Sequence, residues 1–170
     1  MERGLVHLYC GAGKGKTTAA MGLALRALGA GLRVTVVQFL KDGQSGEISP
    51  LQTLGAQVFA GSTGGKFVFE MTAEEKALSR REQDTVLRAA LAADCDLLIL
   101  DECCAVCALG MVDEPLLKSA VLDRPIGREI VLTGRDPAEW MRQAADYITE
   151  MRAERHPYDR GVGARAGIEY

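Results

Sequence analysis

The stretch YCGAGKGKTT, Tyr9 to Thr18, holds the residue types best suited to bind a polyphosphate. Gly11, Gly13 and Gly15 carry no Cβ, so the backbone can turn until successive N–H groups point at one anion. Lys16 brings a formal charge to the phosphates, and the Thr17 hydroxyl can ligate Mg²⁺. Ala12, Lys14 and Thr18 complete the expected nucleotide-binding loop, and Arg26, farther along, is a further candidate contact. Against the pattern G-x-x-x-x-G-K-[ST] one position departs: Cys10 stands where the first glycine is expected. The core GKGKT is intact. The plain alternative, a glycine-rich turn, does not require a strand before the loop and a helix after it, and both are expected here.

A second group that can do chemistry is LLILDE, where an apolar run ends on Asp101 and Glu102. An acid at the end of a strand neighbouring the loop strand is where phosphate-loop proteins hold Mg²⁺. Adjacent side chains leave a strand on opposite sides. One acid can therefore reach a metal while the other orients a reactant; the alternative is a pair of solvated acids at a helix start. DECCAVC follows, with Cys104 and Cys107 in CxxC spacing. Such a pair can be redox-active or bind metal, but a closed zinc site needs four ligands. The expectation is small packed cysteines. His7 lies in an apolar run and reads as a core histidine. Phe67 and Phe69 follow Gly64 and Gly65, and read either as core or as a platform for a flat ligand.

The elements that must position these residues are legible from periodicity. Leu5–Tyr9, Arg33–Leu40, Cys95–Glu102, Glu129–Arg135 and the DYITEMR run read as strands. Lys16–Leu28 reads as a helix stopped by Gly29 and Gly31. TAEE at Thr72 is a capping box, and opens a helix to about Ala93. Lys41–Gly65 reads as loop plus a short strand near Val58. Apolar strands alternating with helices predict an α/β fold whose sheet is mostly parallel, flanked by helices on both faces. Such sheets bind ligands beyond the carboxyl ends of their strands.

Composition sets the bounds. The 170 residues fit one domain, with 48% hydrophobic and 25% charged residues. A formal charge of −3 with scattered arginines gives no nucleic-acid footprint. No apolar run is long enough for a membrane span, and no signal peptide is visible at the N-terminus. Five cysteines without secretory signals point to a reducing cytoplasm.

Taken together, CGAGKGKTTAAMGLALRALGAG, VVQFLKDGQSGE, LLILDE, VLTGRDP, ADYITEMR and RHPYDRGVGARAGIEY resemble, in order and over nearly the whole chain, the P-loop family of ATP:corrinoid adenosyltransferases. The resemblance implies a three-layer P-loop NTPase (RecA-like) fold over residues 1–170 as one nucleotide-binding domain. The chain begins at the first strand, so it is expected to be a short member, without the N-terminal segment of some relatives. In the family the first loop position is not reliably glycine, which makes Cys10 less odd.

The implied activity is a transferase reaction of cobalamin biosynthesis. ATP lies in the loop in reversed polarity, cobalt(I) of a reduced corrinoid attacks the ribose C5′, and triphosphate leaves. Lys16, Glu102 and Arg135 take the catalytic roles, with Lys14 assisting. Thr17, Glu102 and Asp101 are the metal candidates for Mg²⁺. Phe67 and Phe69 match an aromatic pair that packs under the corrin ring and displaces its lower ligand, which eases reduction of cobalt(II). An electron donor and a homodimer are the implied partners. Two other readings remain: an ordinary P-loop ATPase or small-molecule kinase using Glu102, and a non-catalytic carrier of corrinoid or nucleotide.

Overall fold

Side chains alternate across each strand, and in this protein both sets are apolar. Along the third strand of the apolar pattern, Leu98 and Leu100 face one layer while Leu97 and Ile99 face the other. A strand apolar on both faces must be covered on both. The computed structural model, which describes residues 3–169, shows how. Six strands form one sheet: β1 (Val6–Cys10), β2 (Val34–Gln38), β3 (Gln57–Ala60), β4 (Leu97–Asp101), β5 (Glu129–Thr133) and β6 (Tyr147–Glu150). Their order is β3-β2-β4-β5-β1-β6, and every pairing is parallel. Met1, Glu2 and Tyr170, the ends of the expected single unit, lie outside the described residues.

One face is covered by α1 (Lys16–Gly29) and α2 (Ile48–Thr53), whose Ala20, Met21, Ala24, Ala27 and Leu51 pack on Val36, Ile99 and Val131. The other face carries α3 (Ala73–Ala92), α4 (Cys103–Ala108), α5 (Glu114–Leu122) and α6 (Glu139–Ala144). There Leu87, Val106, Leu117 and Met141 meet Leu8, Phe39, Leu100 and Leu132. This is the three-layer α/β arrangement expected.

Several expectations hold in detail. Thr72 accepts the Glu75 N–H at 3.2 Å and Glu75 accepts the Thr72 N–H at 2.8 Å, so the capping box starts α3. Others need correction. Lys41–Gly65 is not loop plus strand alone: α2 forms inside it, because Ile48 and Leu51 one turn apart both find the core. DYITEMR is a strand, but β6 is a sheet edge and exposed along its length. Most consequentially, β4 does not neighbour β1. β5 lies between them, so the acids of β4 reach the loop across the end of β5.

Candidate active site

The glycines of the loop are required by what runs beside them. Cys10 is the last residue of β1, buried, in register with Glu150, and its carbonyl accepts the Met151 N–H at 2.8 Å. The position is ladder backbone and makes no demand for glycine, which explains the departure from the general pattern. The turn begins at Gly11, with φ 99°, where an added Cβ would sit 2.5 Å from the Met151 carbonyl oxygen. Gly13 donates its N–H to that same oxygen at 2.7 Å, and a Cβ there would also collide with Met151. Gly15, at φ 114°, opens α1 with no side-chain cap, which leaves the helix N-terminus free for an anion.

Lys16 folds back over this loop and donates to the Gly13 carbonyl at 2.6 Å. Burial lowers the pKa of its ammonium, and the nearby Glu102 charge opposes that. Thr17 donates its hydroxyl to Asp101 Oδ1 at 2.9 Å. The gap left by β5 is filled by Thr133, at the end of that strand. Its hydroxyl donates to the same Asp101 oxygen at 2.7 Å and accepts the Glu102 N–H at 2.9 Å. The other carboxylate oxygen of Asp101 accepts from Lys41 Nζ at 2.6 Å. Asp101 is wholly buried, and both its oxygens are committed to protein donors.

Glu102 is different. It sits in the left-handed region at φ 60°, which is strained for a residue with a side chain. Thr133 and the start of α4 hold it there. Among the described residues no hydrogen bond reaches its carboxylate, which lines the phosphate-loop cavity. Burial, and then the charge of Asp101, raises its pKa. The one other non-glycine residue in that region among those described is Leu40, at φ 55° just after β2. Its N–H goes to Gln83 Oε1 at 3.1 Å, and the Gln83 amide donates to the Gly61 carbonyl at 3.0 Å. One buried glutamine thus fixes the exits of β2 and β3, and with them Lys41.

Two cavities meet here. A polar one of about 300 Å³ is lined by residues 12–18 of the loop with Glu102, Arg135, His156, Ile168 and Glu169. A larger one of about 1460 Å³ is walled by Leu25, Leu40, Leu51, Leu54, Phe67 and Phe69 among others. Thr17, Thr18, Ile168 and Glu169 line both. Phe67 and Phe69 are 68% and 80% exposed, so they are not core. Nor are they an extended pair: residues Val68–Glu70 form a 3-10 turn. Their rings nevertheless stack, with centroids 5.4 Å apart and planes 6° from parallel.

The donors fit Mg²⁺. That ion takes hard oxygens from one or two protein groups and completes its shell with water and phosphate. Thr17 and Glu102 offer such oxygens at the cavity wall. No group of three or more His, Cys, Asp or Glu placed to hold a metal occurs among the described residues. Asp101, also expected as a possible ligand, accepts from Thr17, Thr133 and Lys41 in this structure.

Arg135 and Lys14 also line the phosphate cavity. Arg26 stands apart, exposed in the last turn of α1, and lines neither cavity. The cysteines are free thiols; Cys103 and Cys104 are fully buried, and burial pushes Cys103 up. Gly134 shows why small residues are needed there, since a Cβ on it would lie 2.4 Å from that of Cys104. Sequence reasoning missed Lys41, Thr133, His156 and Glu169. The first two follow or end predicted strands, and the signal was their place at the carboxyl edge of the sheet.

A parallel three-layer sheet with a glycine loop between β1 and α1, and a buried acid aimed at the loop threonine, is the arrangement of a P-loop NTPase-like fold. More particularly, the chain belongs to the ATP:corrinoid adenosyltransferase BtuR/CobO/CobP family, whose model matches residues 2–170. It is 35% identical over 179 residues to the corrinoid adenosyltransferase CobA of Salmonella typhimurium, covering 99% of this chain and 87% of that one. It is 33% identical to the corrinoid adenosyltransferases of Pseudomonas aeruginosa, over 99% of this chain and 85% of that one, and of Escherichia coli K12, over 99% and 87%. By that membership it is a transferase.

Proposed function

We propose that this protein transfers the 5′-deoxyadenosyl group of ATP to the cobalt(I) of a reduced corrinoid and releases triphosphate. The observation that carries this reading is the junction of the two cavities. One is polar, of polyphosphate size and walled by the glycine loop. The other, about 1460 Å³, exceeds an ordinary small-molecule pocket and suits a macrocycle. A carbon held at the seam would have phosphate on one side and the corrin on the other.

In the reaction a cobalt lone pair forms the Co–C5′ bond. The C5′–O5′ bond breaks, and its electron pair leaves with the triphosphate, which gains one negative charge. Cobalt(I) is itself the nucleophile, so no activating base is required. Lys16, Arg135 and the loop N–H groups face the place where charge develops, and stabilise it there more than in bound ATP. Thr17 and Glu102 would hold Mg²⁺, which supplies further neutralisation of phosphate charge when bound. Asp101 keeps Thr17 oriented. Phe67 and Phe69, on the wall of the larger cavity, form the apolar wedge under the corrin ring. Cobalt(II) is reduced by an external electron donor while that wedge holds off the lower ligand.

The reading includes a homodimer, on the strength of the resemblance, and a cytoplasmic setting, on the five cysteines without secretory signals. No helix among the described residues is long and apolar enough to cross a membrane. An anaerobic assay with ATP, Mg²⁺ and chemically reduced cobalamin tests the proposal. Adenosylcobalamin and triphosphate in equal amounts are expected. ADP and phosphate would instead favour hydrolysis or kinase chemistry through Glu102, and tight binding without turnover a carrier.

A further inference from the structure

Beyond β6 the chain forms a strap, residues 153–169, whose hydrogen bonds among the described residues are all internal. His156 Nδ1 accepts the Tyr158 N–H at 3.2 Å, and the remaining bonds close short turns. Yet the strap returns to the site. His156, Ile168 and Glu169 line the phosphate cavity, and Ile168 and Glu169 line the larger one too.

Glu169 is therefore at the seam between the cavities, and its chemistry is odd for that place. Its Oε2 accepts from the Arg165 N–H at 2.9 Å and from Arg165 Nε at 3.2 Å, and its Oε1 from Nη2 at 3.0 Å. This guanidinium and backbone contact holds the carboxyl down to about 2, so it is ionised at neutral pH. An ionised carboxylate accepts and never donates. It repels phosphate, and with three of its roughly four acceptor positions taken by Arg165, one on Oε1 stays open to a further donor. If C5′ faces the larger cavity while the phosphates lie in the loop, the part of ATP at this seam is the ribose. Its 2′ and 3′ hydroxyls are neutral donors.

We propose that Glu169 accepts a hydrogen bond from a ribose hydroxyl of the nucleotide through Oε1, with Arg165 as the positioning residue that holds its carboxylate. Like-charge repulsion at the same point keeps the triphosphate in the loop and so selects which end of ATP faces the corrinoid. This inference rests on the transfer reading for the placement of C5′.

The test is calorimetric binding of ATP, 2′,3′-dideoxy-ATP and inorganic triphosphate to the wild-type chain and to Glu169→Ala, with Mg²⁺ and without corrinoid. A hydrogen bond to a charged group corresponds to about 10–100-fold in affinity. The variant should lose that factor for ATP and lose nothing further for dideoxy-ATP, which the wild type already binds weakly. Triphosphate should bind unchanged or more tightly. Equal losses for both nucleotides, undiminished ATP binding, or weakened triphosphate binding overturn the proposal. Should the alanine variant fold poorly by its thermal midpoint, Glu169→Leu, which removes both acceptor oxygens at similar size, is held to the same pattern. A wild-type chain that yields no adenosylcorrinoid would sink the transfer reading, whereas the binding pattern is measured without that reaction.

Discussion

Lys41 Nζ lies 2.6 Å from Asp101 Oδ2, while Asp101 Oδ1 accepts the Thr17 hydroxyl at 2.9 Å. The loop that walls the larger cavity is thereby tied to the threonine of the phosphate loop through one buried acid. Removing the cation leaves Asp101 buried without its counter-charge. Loss of one partner of a fully buried pair costs about 3–5 kcal/mol. The Lys41 side chain is 26% exposed, so we expect about 2–4 kcal/mol for Lys41→Met. Urea unfolding measures it, and a midpoint equal to wild type would show that the pair contributes nothing.

Lys16→Ala should reduce transfer on the order of 100-fold, about 3 kcal/mol of transition-state stabilisation. The ammonium is held over the loop by the Gly13 carbonyl, so the variant loses charge without losing a core contact. Single-turnover rates with cob(I)alamin read the effect directly, and a rate near wild type refutes the assignment of Lys16.

Glu102→Gln should raise the Mg²⁺ concentration needed for activity, because among the described residues its carboxylate has no hydrogen-bond partner at the cavity wall. An unchanged Mg²⁺ titration would return the metal role to Asp101. The same residue makes a pH prediction. Burial raises its pKa above the ordinary 4.5, so the folded chain keeps this proton at pH values where the unfolded chain has released it. Stability then falls as pH rises from about the unfolded value through the raised folded one. Glutamine cannot titrate, so the variant should gain stability over wild type across that window and lose the advantage below it. Unfolding free energies for both chains across the window give the sign, and a wild type that gains on the variant as pH rises contradicts it.

What was legible in the sequence is what local chemistry dictates. GKGKT announced the loop because turning a backbone toward an anion needs those residues in that order. Thr72 and Glu75 announced α3 because a capping box closes within four residues. The Lys41–Asp101 pair could not be read, since its partners are 60 positions apart and meet only when β2 and β4 pair. The place of β5 between β4 and β1 was likewise invisible: any parallel order satisfies the same apolar pattern. Thr133, which bridges the gap, looked like an ordinary strand end. The strap residues His156 and Glu169 lie in a polar tail, whose return to the loop no periodicity encodes.

Phe67 and Phe69 give the sharpest test, because their exposure separates stability from function. A buried Phe truncated to Ala loses about 3–5 kcal/mol. These two are 68% and 80% exposed, stacked on each other over the larger cavity rather than on the core. The double change to Ala should therefore leave the thermal midpoint within a few degrees of wild type. Gly64 and Gly65, at φ 64° and 78°, and the 3-10 turn from Val68 place the pair on a short projecting segment. If its role is to wedge beneath the corrin and hold off the lower ligand, that role ends once cobalt has been reduced. The variant should lose activity when cob(II)alamin must be reduced on the enzyme, and keep most of it when cob(I)alamin is supplied. Running both substrates beside a thermal melt decides the matter. An equal loss with either substrate at an unchanged midpoint would make the pair a general part of the corrinoid wall. A collapsed midpoint would mean that the rings support the fold after all.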